Sequence, residues 1–464
     1  MRGAAFAIAA LFGLGLAMPA LADEDAAVLS TFVVVGPDGG MTARAITTAP
    51  TCPSIDVAGR RQTMTIRAAP ETAPQRPARF VGAPAKPAAF PVLTCETILP
   101  AKVRSARIGD RKLPLAPARI RRIAVIGDTG CRTPNQACND PDQFPFASIA
   151  ATIAAWKPDV VLHVGDYLYR ETPCPAASAG CAGSPWGYGF DAWSADFFGP
   201  ADPLLRAAPW VLVRGNHESC SRAGQGWWRF MDPGPLRPRR DCNDPTDDDI
   251  GDYSPPYAVG LGGGRQLIVY DSSNVPPAGG FPPADPRMQR YGADVRRIQS
   301  LAARAPHNIL ADHHPVLGLG ARFGADGEVQ VYPGNEALQS VFGAVWPSLA
   351  PPTVDLLLAG HIHLWEAISF SSPHPAQVIA GFSGTEEDIV PLPLSPGVDP
   401  APGASVETLS SWVAGFGYMT LQAKGRESWR MKVRDVRGHV VNTCDLKRRR
   451  LTCAVRQVAP TPAS

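Results

Sequence analysis

Five times between residues 123 and 363 a short apolar run halts at residues able to hold a cation. Residues 123–126 (IAVI) lead into GDTG, 160–164 (VVLHV) into GDYLY, and 210–214 (WVLVR) into GNHE. Residues 309–311 (ILA) lead into DHHP, and 354–359 (VDLLLA) into GHIH. The runs have strand length, and segments of helical period stand between them at 146–156, 288–303 and 337–349. Such alternation predicts an α/β domain. In α/β sheets, sites form in the loops beyond the carboxyl ends of the strands. The five loops are therefore expected to converge. Residues i and i+2 of an extended segment point the same way, so His361 and His363 could face one centre.

Each motif has an ordinary explanation when taken alone. Asp-Thr-Gly after a strand is often only a turn, and Tyr167 and Tyr169 could be core aromatics. An isolated His-x-His is more often a packing or surface pair than a metal site. Five such endings in one chain are the signal, and GNHE is the least ordinary of them.

Taken in order, GDTG, GDYLY, GNHE, LADHH and GHIH resemble the five blocks GDxG, GDxxY, GNHE, VxxH and GHxH of the purple acid phosphatases, within the calcineurin-like metallophosphoesterases. The resemblance covers roughly residues 119–440. It implies an α/β fold, a metallophosphoesterase β-sandwich flanked by helices. It also implies two metal ions, Fe³⁺ with a divalent ion such as Zn²⁺, Fe²⁺ or Mn²⁺. Carried over by position, Asp128, Asp166, Tyr169 and His363 would hold the first. Asp166, Asn216, His313 and His361 would hold the second, with Asp166 bridging. A phenolate beside carboxylates is a hard, anionic set suited to Fe³⁺, and imidazoles with an amide oxygen suit a divalent ion. The fourth block departs from the pattern with two adjacent histidines, so His313 is assigned as ligand and His314 as a substrate contact.

The implied reaction is hydrolysis of a small phosphomonoester by a metal-bound hydroxide, since paired cations lower the pKa of water and offset phosphoryl charge. His217 is the candidate for protonating the departing alkoxide or for binding phosphoryl oxygens. Glu218 is the candidate for orienting His217. A phosphodiesterase or nucleotidase on the same metal core is the alternative, as is a dead-site envelope binding protein. A serine or cysteine nucleophile has no support, because no GxSxG motif occurs.

The remaining features set the context. Arg2, an apolar stretch at 4–17 and Ala20-Leu21-Ala22 form an expected signal peptide over 1–22, with a mature start near Asp23. Export, to the periplasm or beyond the cell, is the expectation. Residues 23–118 are expected to form a small β-rich domain, with strands near 30–35 and 64–67 and a loose Pro/Ala loop at 70–87. The catalytic domain is expected over 119–464. A formal charge of +2 argues against nucleic acid as the main partner, and no later apolar run is long enough to span a membrane. Ten cysteines on an exported chain read as a disulfide framework. Short loops predict Cys131–Cys138, Cys174–Cys181, Cys220–Cys242 and Cys444–Cys453, leaving Cys52 with Cys95. The basic run 447–450 reads as a solvated edge, and Trp227, Trp228 and Phe230 as core of the insert 219–264.

Overall fold

A computed structural model describes residues 27–77, 82, 84–393 and 397–456. The expected signal peptide lies outside the described residues. The three helical segments form as Phe146–Trp156, Pro286–Ala302 and Glu336–Gly343. The last two have side-chain caps. The Asp285 carboxylate accepts from the Arg287 N–H, and the Asn335 side chain accepts from the Leu338 N–H, which satisfies donors that a helix start leaves free.

Two large sheets stack face to face. The first has eleven strands, with Arg122–Ile126, Val160–His163 and Trp210–Leu212 parallel at its centre. The second has seven, with Arg265–Val269, His307–Ala311, Val354–Ala359 and Ala376–Ala380 parallel at its centre. These strands are near-continuous apolar runs because both faces are covered. One face of each sheet meets the other sheet, in a core that includes Val125, Leu162, Val211, Ile309, Leu356 and Val378. The outer face of the first sheet carries Phe146–Trp156 and Gly199–Leu205. The outer face of the second carries Pro286–Ala302 and Glu336–Gly343. Each aliphatic side chain fully removed from water here contributes roughly 1.5–3 kcal/mol. The fold is thus a β-sandwich flanked by helices.

The N-terminal β-rich region is present, and its strands run on from the first sheet. Val28–Val35 pairs in parallel beside Trp210–Leu212, and Met41–Thr47, Leu93–Ile98 and Thr65–Ala68 follow outward. Two buried arginines of these strands reach the insert that follows GNHE. Arg44 donates to the carbonyls of Phe230 and Asp232 at 2.5 Å each. Arg67 donates to the Trp228 carbonyl at 2.7 Å. The wide helical turn Trp227–Met231 is held by these bonds, and Trp227, Trp228 and Phe230 are buried in its core.

All ten cysteines are paired as expected: Cys52–Cys95, Cys131–Cys138, Cys174–Cys181, Cys220–Cys242 and Cys444–Cys453. Among the described residues no helix is long and apolar enough to cross a membrane.

Candidate metal centre

The five loops meet at one end of the sandwich. Three come from the first sheet and two from the second, and in each sheet the strands run in register, with Ile126 opposite His163 and Ala311 opposite Leu358. The chain turns sharply to present each polar residue. Asp128, Asp166 and His361 all hold left-handed backbone, with φ of 54°, 59° and 73°. Such values are uncommon outside glycine and mark a conformation imposed by the surroundings. Close approach of two loops fixes Gly215: a Cβ there would lie 2.0 Å from Asp166 Oδ1.

Two groups of donor atoms result, and they share Asp166. In the first, the Tyr169 hydroxyl lies 2.8 Å from Asp128 Oδ1, 2.8 Å from Asp166 Oδ2 and 3.1 Å from His363 Nε2. In the second, His313 Nε2 lies 3.1 Å from both Asp166 Oδ2 and Asn216 Oδ1. His361 Nδ1 lies 3.0 Å from the same Asn216 oxygen. All seven residues that the sequence marks as candidate ligands are therefore brought together, three on each side of the shared carboxylate.

The ring nitrogens are presented by carbonyls from elsewhere in the chain. His313 Nδ1 donates to the Val164 carbonyl at 2.8 Å, which turns Nε2 inward as a lone-pair donor. His363 Nδ1 donates to the Glu386 carbonyl at 2.8 Å with the same result. Hydrogen bonds of this kind orient metal-binding imidazoles.

Acceptors outnumber protons in both groups. One phenolic hydrogen cannot satisfy two carboxylates and an imidazole nitrogen together. His313 Nε2, with its other nitrogen already donating, faces two oxygens that also accept. Burial, reinforced by Asp128 and Asp166, holds the Tyr169 phenol well above its usual range. Burial opposes a charge on His313, yet Asp166 and Asp128 pull that ring up to about 10. Both shifts report a buried negative field of the kind that bound cations would neutralise. The donor set therefore fits two metal ions. A hard oxygen-rich group lies on one side, and an imidazole and amide group on the other.

His217 sits beside this centre, with its ring centroid 3.8 Å from that of Tyr169. Its Nδ1 lies 3.1 Å from the Leu168 carbonyl and its Nε2 2.6 Å from Arg222 Nη2. Arg222 in turn forms a two-pronged pair with Glu171. Glu218 turns its carboxylate to the backbone. Its carboxylate accepts from the backbone N–H groups of Tyr167 (2.8 Å), Leu168 (3.3 Å), Asp166 (3.1 Å) and Gly215 (3.2 Å). The short turn that begins at Asn216 folds Glu218 back under its own loop, so it ties the GDYLY and GNHE loops together. His314 is likewise not on the pocket wall. It is buried against Ser272, 3.2 Å from Nδ1, with its ring 4.2 Å from that of His361. His313 Nε2 reaches the shared carboxylate, whereas the His314 ring, 5.1 Å from that of His313, turns its Nδ1 to Ser272. Tyr167 and His163 stack in the core at 3.8 Å, and the Tyr167 hydroxyl donates to the Val213 carbonyl.

A pocket of about 570 Å³ opens over the centre. Its lining includes two residues that the sequence reading missed, Arg132 and Arg322. Arg132 lies 5.2 Å from the Tyr169 ring centroid, a cation–π distance. It directly follows Cys131, so the Cys131–Cys138 bridge fixes its loop. That adjacency was the available signal. Arg222 had none, because only the fold of the insert brings it to His217.

Residues 121–364 match the family model of calcineurin-like phosphoesterases. The match spans more than half of the chain, and the chain belongs to that family. Membership makes it a metal-dependent phosphoesterase. Among solved structures, the purple acid phosphatase PPD1 from yellow lupin (Lupinus luteus) seeds is similar over 94% of this chain and 78% of its own, with a TM-score of 0.55 at 15% identity. PhoD is similar over 93% of this chain and 94% of its own, with a TM-score of 0.53 at 14% identity. At such identities it is the fold that is shared, and it is purple acid phosphatase-like. No curated protein matches the chain in sequence.

Proposed function

We propose that the protein is an exported phosphomonoesterase of the purple acid type, holding Fe³⁺ at Asp128, Asp166, Tyr169 and His363 and a divalent ion at Asp166, Asn216, His313 and His361. The observation that carries this reading is the Tyr169 hydroxyl, 2.8 Å from both Asp128 and Asp166. Any two-metal phosphoesterase could use the other residues, but a phenolate ligand selects a hard trivalent ion. Five disulfides, with no free cysteine among the described residues, support an oxidising compartment.

When bound, a metal pair supplies an activated water and neutralises phosphoryl charge. The chain's own residues do the rest. Asp166 places both ligand groups on one carboxylate. The Val164 and Glu386 carbonyls keep His313 and His363 turned inward. His217 lines the same pocket and is the candidate for contacting phosphoryl oxygens or for protonating the departing alkoxide. Arg132 adds a fixed positive charge on the pocket wall for the phosphoryl oxygens. The pocket volume exceeds what a phosphoryl group fills, which keeps a phosphodiesterase or nucleotidase as the second reading.

The test is optical. Phenolate bound to Fe³⁺ absorbs visible light, so iron-loaded oxidised protein should be coloured and should hydrolyse an aryl phosphate. Tyr169→Phe should lose the visible band and keep the fold, whereas Tyr167→Phe should keep the colour. Colourless iron-loaded protein would remove Tyr169 from the ligand set and with it the purple type. A panel of monoesters and diesters separates the two readings of substrate.

A further inference from the structure

A second cleft, of about 880 Å³, lies at the other end of the sandwich. Arg265 and His307 on its wall open the strands Arg265–Val269 and His307–Ala311, and Arg121 immediately precedes Arg122–Ile126. The metal-site loops leave the opposite ends of Arg122–Ile126 and His307–Ala311. Five residues at ~3.3 Å each put on the order of 17 Å between the two ends. The cleft is therefore separate from the catalytic pocket.

The charged side chains on its wall are cationic with one exception: Arg119, Arg121, Arg265, Lys424 and Arg426, with His307. The one acid on its wall, Glu427, is engaged by Arg448 at 2.8 Å. The nearby Asp445 is paired with Arg430 at 2.8 Å, and Asp355 with His307 at 2.8 Å. Among the described residues no carboxylate pairs with the head groups of Arg119, Arg121, Lys424 or Arg426. Arg265 is built into the floor. It donates to the Gly425 carbonyl at 3.0 Å and lies 4.8 Å from the Trp429 ring centroid. Burial, and then the charges of Arg119 and Arg121, hold its guanidinium below the usual range. The folded chain thus gathers like charges from three separate segments with no carboxylate paired to four of them, although its overall charge is only +2.

The shape and chemistry of the cleft narrow its occupant. At ~30 Å³ per water its volume holds on the order of thirty waters, far more than one tetrahedral anion displaces. Sequence-tolerant single-strand binding relies on aromatic platforms for the bases; here the one aromatic beneath the cleft, Trp429, is buried under Arg265. The apolar side chains on its wall, Pro306 and Ala423, are small and offer no groove for a lipid chain. We propose that this cleft binds a linear polyanion with closely spaced phosphoryl charges, of the polyphosphate type, at a site distinct from the metal centre. The inference stands on the cleft alone and does not depend on the phosphomonoesterase reading.

The experiment measures binding of a labelled polyphosphate long enough to span the cleft, with excess orthophosphate present to fill the catalytic centre. With about four free cations, each contributing ~0.7–0.9 to the slope, log K should fall with log salt at about −3. Arg119→Glu with Arg426→Glu should weaken binding at least tenfold and flatten the salt dependence. Turnover of a small aryl phosphate should stay unchanged, which also shows that the variant folds. Three results would overturn the proposal. The double variant could bind as tightly as the parent, orthophosphate could displace the chain completely, or a single-stranded oligonucleotide of equal charge could bind as well as polyphosphate. If aryl phosphate turnover is absent from parent and variant alike while polyphosphate binding persists, the catalytic reading fails and this one does not.

Discussion

Replacing Glu218 by glutamine should destabilise the protein although it removes no charge from the pocket. The carboxylate accepts four backbone N–H bonds, two on each oxygen. Glutamine keeps one oxygen. Packing favours keeping it toward the Tyr167 and Leu168 amides, where the shortest bond is 2.8 Å. Its NH₂ group then faces the N–H groups of Asp166 and Gly215, so two bonds are lost and donors oppose donors. Bonds to a charged acceptor contribute about 1.5–3 kcal/mol each, and partial relaxation discounts the pair, giving an expected loss of about 2–4 kcal/mol. Burial pushes the Glu218 carboxyl up to about 8, so the measurement belongs above that pH, where the group is ionised. Urea unfolding should show a lower midpoint at an unchanged slope. Activity should fall as well, through displacement of the Asp166 loop, and metal content should fall with it. If stability stays within about 0.5 kcal/mol of the parent while the kinetics match those of His217→Ala, Glu218 orients His217 after all and the clamp is refuted.

Three further outcomes are expected. Asp166→Asn should abolish activity and both ions together, because it removes the carboxylate common to the two groups; elemental analysis should find two metals in the parent, at least one of them iron, and retention of one in the variant would break the shared-ligand assignment. Removing the Cys131–Cys138 bridge by a double alanine substitution should cost about 2–3 kcal/mol for so short a loop and raise KM by loosening Arg132, as measured by unfolding and aryl phosphate kinetics; unchanged KM would detach Arg132 from substrate binding. Burial raises the Asp294 carboxyl to about 6, with Arg290 and Arg297 opposing. The folded state therefore holds its proton longer than the unfolded chain, and stability falls as pH rises from about 4 to about 6. Asp294→Asn should gain about 1–2 kcal/mol above that window and nothing below it; a gain of equal size at both ends would refute the burial argument.

Much of the site was legible in the sequence because each ligand block follows its strand at once. An apolar run, a turn and a polar residue are local features, and their order along the chain survives without knowledge of the fold. The cysteine pairs were legible for the same reason, since four of the five bridge residues no more than 22 positions apart. What lay beyond reach was decided by contacts between distant segments. The Val164 carbonyl fixes the ring of His313 from 149 residues away, and Asn216 meets His361 across 145. The role of Glu218 depends on a turn that folds it beneath its own loop, and the place of His314 depends on Ser272, 42 residues away, which takes its ring nitrogen. The N-terminal strands join the sheet through Val34 beside Trp210, a pairing that no periodicity announces. The basic cleft is the clearest case. Residues 119–121, 263–265 and 424–426 are each unremarkable in sequence, and only the stacking of two sheets collects their charges on one wall. Hydrophobic periodicity and turn chemistry act between neighbours and can be read in order, whereas convergence of side chains depends on how packed layers align, which is a property of the whole chain at once.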